Sequence, residues 1–139
     1  MTVSANKEMK MDWKESLPAQ CPPSDAVPPE GVYFRAVSSN CSEDDFMPYA
    51  RLYPTRQYIG SMACTARALS IYENQDDCIE ATKLPALQKL GQTCIAKITL
   101  TSKDGLVKKG RNNDSHHSWW RTCSFDLNAS VEPVNTPVL

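Results

Sequence analysis

Thr93-Cys94-Ile95-Ala96-Lys97-Ile98-Thr99-Leu100 decides the fold class. Here Cys94, Ala96, Ile98 and Leu100 alternate with Thr93, Ile95, Lys97 and Thr99 at the period of two that a strand needs to bury one face. Asp104-Gly105 comes next as a turn that tolerates positive φ, so Leu106-Val107 is expected to fold back as a hairpin strand. Upstream, Val32-Tyr33-Phe34-Arg35-Ala36-Val37 is rich in β-branched and aromatic residues and starts just after Gly31. Its alternation sets Val32, Phe34 and Ala36 on one face and Tyr33, Arg35 and Val37 on the other. Residues 66–72 read as a short strand and residues 119–127 as a last one, with Trp119, Cys123, Phe125 and Leu127 facing the core.

Two short helices complete the pattern. Ser42 is a capping residue ahead of Glu43, Asp44 and Asp45, and Pro48 and Pro54 limit the length of a helix begun there. Asn74 caps a second helix with Asp76 and Asp77 in its first turn, ending near Lys83 before Pro85. The expected fold is a single compact α+β domain with a largely antiparallel sheet and two short helices.

A chain of 139 residues suits one domain with a real core. With 41% hydrophobic and 22% charged residues, it falls in the globular class. A net charge of −1 gives no overall pull toward nucleic acid or anionic membrane. Residues 1–13 lack the apolar run of a secretory signal, and no stretch has the apolar length of a membrane span. The chain is therefore read as cytoplasmic, with its six cysteines as reduced thiols and no C-x-x-C pair to hold zinc or run redox chemistry.

Residues 15–30 hold five of the ten prolines, so residues 1–30 are read as a flexible proline-rich arm. The folded domain is placed at 31–127. Residues 128–139, with Pro133 and Pro137, are read as a surface or disordered tail.

Ser115-His116-His117-Ser118-Trp119-Trp120 gathers both histidines and two of the three tryptophans. Adjacent strand residues point to opposite faces, so the two histidines do not share an ion, and no other ligands stand at metal-binding spacing. The same alternation puts Trp119 inside and Trp120 at the surface or in a pocket wall. Arg35 in mid-strand is either an edge residue or a fork of donors for a phosphate or carboxylate. Ser70 either contacts a ligand or satisfies backbone. Lys103, Lys108, Lys109, Arg111 and Arg121 make the late segment locally basic.

The succession "YFRAV", "SEDDF", "ALSIYENQDDCIEA", "LGQTCIAKITL" and "SHHSWW" resembles that of small uncharacterised bacterial proteins with an F-R, D-D-F, S-H-H-x-W-W pattern, a likeness that carries no activity. A weaker likeness is to ADP-ribosyltransferase-like folds. These use an arginine or histidine on an early strand and a serine or aromatic before a helix, where Arg35 and Ser70 stand. They also commonly use a glutamate on a late strand; the late glutamate here, Glu132, falls in the expected tail, which leaves His116 in that region. That likeness implies NAD as a substrate, with Arg35 gripping the pyrophosphate and Ser70 on the nicotinamide side.

The leading expectation is a small intracellular binding or accessory domain. Its cleft, lined by Arg35, Ser70, His116 and Trp120, accepts an anionic, nucleotide-like ligand and needs no cofactor or metal. Against it stand an NAD-consuming or ADP-ribosyl-transferring enzyme with Arg35, Ser70 and His116 as catalytic candidates, a single-stranded nucleic-acid binder, and a protein-partner module docking through the arm.

Overall fold

The described residues form six strands: β1 (Gly31–Val37), β2 (Leu69–Tyr72), β3 (Cys94–Leu100), β4 (Gly105–Lys109), β5 (His116–Arg121) and β6 (Val131–Val134). They form one sheet in the order β4-β5-β2-β1-β3-β6, antiparallel at every step. The computed structural model describes residues 11–111 and 114–134, so parts of the expected arm, of the loop before His116 and of the tail lie outside the described residues. The fold is mixed α+β in a single compact domain.

Helices are short and more numerous than expected: α1 (Tyr49–Leu52), α2 (Ser61–Thr65), α3 (Gln75–Ala81), α4 (Pro85–Leu90) and α5 (Leu127–Ser130). The Asn74 cap starts α3, its side chain accepting from the Asp76 and Asp77 amides. The Ser42 capping box is present but starts only the 3₁₀ turn Glu43–Phe46, cut short before Pro48. The last expected strand is displaced: β5 starts at His116 and ends at Arg121, and Asp126 caps α5.

One topological expectation fails. β4 does not fold back on β3 but pairs with β5, Val107 opposite Trp119. In a flat sheet β3 and β4 would stand four spacings apart, roughly 19 Å. Residues 101–104, mostly a 3₁₀ turn (Ser102–Asp104) rising about 2 Å per residue, cannot bridge that gap. The sheet therefore curls into two three-stranded halves, β4-β5-β2 and β1-β3-β6, joined by the single register pair Phe34–Tyr72. Gly105 makes the corner: its φ is +137°, and a Cβ there would collide with the Trp120 carbonyl.

Inside the curl lies the main core, with Tyr33, Val37, Phe46, Leu69, Ile71, Ile98, Leu100 and Trp119. On the outer face α3 covers Ala36 and Ile95 with Cys78. Both faces are covered, so both tryptophans are buried, at 0% and 2% exposure for Trp119 and Trp120. Trp120 is more buried than a surface residue, yet it lines a cavity, one of the two places expected for it.

Residues 11–30 are fastened to the domain at several points. Trp13 bridges to Thr122, Val27 to Val107, and Glu15 meets Arg51 at 2.8 Å. Cys21 is bonded to Cys64, their Cα atoms 5.5 Å apart. Not all six thiols are therefore free, because the proline-rich segment lies across α2 rather than away from it; Cys41, Cys78, Cys94 and Cys123 remain free. At the other end, Val131–Val134 adds an edge strand beside β3. Among the described residues, no helix is long and apolar enough to cross a membrane.

Candidate functional site

Register fixes which polar side chains meet. Ser70 stands opposite Ser118 and Tyr72 opposite His116, so all four share the outer face of the sheet. His116 Nε2 lies 3.0 Å from Ser70 Oγ. The imidazole is held from two further sides: the Tyr72 ring is 5.3 Å away between centroids, and Gly110 lies against Nδ1. A Cβ at Gly110 would come within 2.6 Å of that nitrogen, so only glycine leaves the ring its place. Gly110 also donates its amide to the His116 carbonyl at 2.8 Å, and the Asp114 carboxylate accepts the His116 amide at 3.1 Å.

Burial lowers the His116 pKa from its ordinary value; the Asp114 carboxylate opposes the shift, and His117 and Lys109 add to it. The imidazole is therefore neutral at pH 7. Burial also pushes the Tyr72 phenol up to about 12, so it stays protonated.

Arg35 shares the inner face with Tyr33 and Val37, opposite in sense to His116, as alternation and the register with β3 require. Beyond Phe34–Tyr72 the halves separate, and the guanidinium fills the seam. Its Nε and Nη2 donate to the Asp45 carbonyl at 3.0 and 2.8 Å, and Nη1 donates to the Ser70 carbonyl at 2.8 Å. Burial lowers its pKa to about 10, with Asp45 opposing the shift, so the charge persists at neutral pH. Arg35 thus touches the floor of the Ser70–His116 cleft but spends three donors on backbone carbonyls. It works as a rivet across the seam, not as a fork open to a ligand.

Two cavities meet at His116. The first, about 170 Å³, runs from Ser70, Tyr72 and His116 over Met47, Leu52, Leu84 and Leu87. The second, about 690 Å³, lies between the amino-terminal segment and the β4–β5 hairpin, against Pro18, Pro23, Lys108, Lys109, Arg111 and Trp120. Thr65, His116 and Ser118 line both. Trp120 therefore stands in the wall of the wide cavity, not beside Ser70, and its Nε1 donates to the Cys64 carbonyl at 3.0 Å. The Lys108 ammonium is 3.3 Å from Asp25, and that of Lys109 donates to the Asp114 carbonyl at 2.6 Å.

Of the four expected site residues, then, the structure joins Ser70 to His116, places Arg35 behind them and puts Trp120 to one side. Sequence reasoning missed Tyr72, Gly110 and Ser118. The alternations Ser70-x-Tyr72 and His116-x-Ser118-x-Trp120 carried the signal, since each sets polar or aromatic residues on one strand face. Among the described residues, no three His, Cys, Asp or Glu side chains are grouped to hold a metal ion. No known family model matches the chain, and no curated protein or solved structure is detectably similar to it.

Proposed function

We propose that this protein is a small-ligand-binding domain whose occupant has a compact apolar body and an anionic group. The observation that carries the reading is the meeting of the two cavities at His116: a narrow apolar one and a wide one edged by Lys108, Lys109 and Arg111. A cavity of roughly 150 Å³ accepts a single aromatic ring, so the narrow arm suits one ring and not a whole dinucleotide. The neutral imidazole and the hydroxyls of Ser70 and Ser118 supply directional hydrogen bonds, and the basic edge supplies charge attraction. A mononucleotide-like molecule has this division between ring and charge.

The NAD-consuming alternative relies on Arg35 as the pyrophosphate grip, and no feature of that guanidinium's bonding favours it. The test is titration of the protein with AMP, adenosine and inorganic phosphate, read by amide chemical shifts of Ser70, His116 and Ser118. AMP is expected to move all three and to bind more tightly than either fragment. Lys109→Ala and Arg111→Ala should weaken AMP but not adenosine. If none of the three probes moves these amides, the reading fails.

A further inference from the structure

We propose that Ser70 and His116 form a nucleophile and general-base pair for acyl transfer from small esters bound in this cleft. The proposal rests on the ligand-binding reading above and adds a reaction to the same site.

A serine hydroxyl becomes a useful nucleophile when a base within hydrogen-bond reach takes its proton. The 3.0 Å contact between Ser70 Oγ and His116 Nε2 meets that condition, and Ser70 is exposed to the cleft. The ring cannot swing freely, being held between Tyr72 and the bare backbone of Gly110. Burial keeps it unprotonated, which a base requires.

The seam between the sheet halves supplies the electrophilic side. Because Arg35 donates to the Ser70 carbonyl, that carbonyl points toward β1. In an antiparallel strand a residue's N–H points the same way as its C=O. The Ser70 amide is thus directed into the seam, where the β1–β2 register has ended at Phe34–Tyr72. A developing oxyanion beside Ser70 meets that donor, with the Arg35 charge behind it.

In the first half-reaction Ser70 Oγ attacks the ester carbonyl carbon while its proton passes to His116 Nε2 and the carbonyl π pair moves onto oxygen. The tetrahedral adduct collapses by breaking the bond to the alcohol oxygen, which takes the proton from Nε2. This leaves an acyl-Ser70 and the free alcohol. In the second, water gives a proton to Nε2 and attacks the acyl carbon. Ser70 Oγ departs and recovers the proton, releasing the carboxylic acid. The sum is ester plus water giving acid plus alcohol. The compact apolar arm fits a short acyl or aryl group, and the basic edge fits an anionic alcohol portion.

The experiment uses the full chain with a fluorophosphonate probe and with p-nitrophenyl acetate. The adduct is located by peptide mass, and AMP-induced amide shifts are followed on the same preparations. A single phosphonyl adduct on Ser70 is expected, with release of about one equivalent of p-nitrophenol in a first burst. Ser70→Ala should abolish both, and His116→Gln should slow both by about 100-fold, at the low end of what a positioned base contributes. Mapping the adduct on the unaltered chain keeps the test independent of whether either variant folds.

No Ser70 adduct in protein that still responds to AMP overturns acyl transfer and leaves the binding reading standing. No adduct and no AMP response overturns both. An adduct without an AMP response supports the nucleophile and removes the anionic ligand class.

Discussion

On the inner face of the sheet, polar groups are tied to fixed partners: Arg35 to the Asp45 and Ser70 carbonyls, Trp119 Nε1 to the Asp104 carbonyl, and Arg121 to Glu43 and the Phe46 carbonyl. On the outer face, Ser70 and His116 bond to each other around open space. Buried donors and acceptors without partners cost free energy, so the inner face has to be closed and fully paired. The outer face can leave capacity for a visitor because solvent reaches it. One sheet thus holds a scaffold on one side and adaptable chemistry on the other, and Arg35 crosses between them.

Removing that link should have the largest effect. Arg35→Ala leaves the buried Asp45 carbonyl and the part-buried Ser70 carbonyl without their donor, at about 1–3 kcal/mol each, and also empties the packing over Phe46. A loss of about 4 kcal/mol is a large share of the 5–15 kcal/mol that holds a domain together. Urea unfolding should show this loss even where Arg35→Lys is tested, because an ammonium cannot reach both carbonyls with a planar fork. A variant that keeps its urea midpoint but loses ligand binding would reverse the assignment and make Arg35 a ligand group.

The cross-link of the amino-terminal segment should rank second. Cys21 and Cys64 are 43 positions apart, and closing such a loop stabilises by about 4 kcal/mol at most in the chain-entropy account, with about 2–4 kcal/mol typical. Because Cys64 also accepts the Trp120 indole, reduction should loosen the wall of the wide cavity before the inner core. Hydrogen exchange with and without reductant should show residues 16–27 and Trp120 losing protection ahead of Ile98 and Leu100. Equal loss everywhere would mean that the two faces unfold as one unit.

Gly110→Ala should act on the outer face alone. The added Cβ must shift the His116 ring from the position in which it meets Ser70, since it would otherwise sit 2.6 Å from Nδ1. Stability should change by less than about 1 kcal/mol, as expected for an exposed-side substitution. Fluorophosphonate labelling of Ser70 should fall at least tenfold. Unchanged labelling would show that the ring position is not what activates the serine.

What was legible in the sequence divides along the same line. Strand composition, alternation and the Asp104-Gly105 turn located β1 to β4, the last run met β5 only at residues 119–121, and Asn74 and Ser42 marked real caps, because these signals are local. Alternation also placed Arg35 correctly with Tyr33 and Val37. Strand order was not legible: Asp104-Gly105 reads as a hairpin whether β4 returns to β3 or crosses to β5. The docking of residues 11–30 was hidden for the same reason, since prolines exclude helix but say nothing about which surface an extended segment lies on. The Ser70–His116 contact joins residues 46 apart in sequence, and only the β2–β5 register creates it.

The smallest effect is also the one that separates the two faces without any substitution. His116 has a folded pKa below its ordinary value of 6.5. As pH falls from above 6.5 toward the folded value, the unfolded chain takes up a proton that the native chain refuses, so stability is full above 6.5 and declines through that window. Glu43 on the inner side behaves alike in sign but lower in pH. Its hydrogen bond from Arg121 holds the carboxyl below its ordinary 4.5, so its contribution is present above 4.5 and is lost as pH falls through its folded value. Urea midpoints taken from pH 8 to pH 3 should therefore fall in two stages. His116→Gln should flatten the stage that begins near 6.5, and Glu43→Gln only the stage below 4.5. If His116→Gln leaves the upper stage in place, the imidazole is not the half-buried neutral group that the outer site requires.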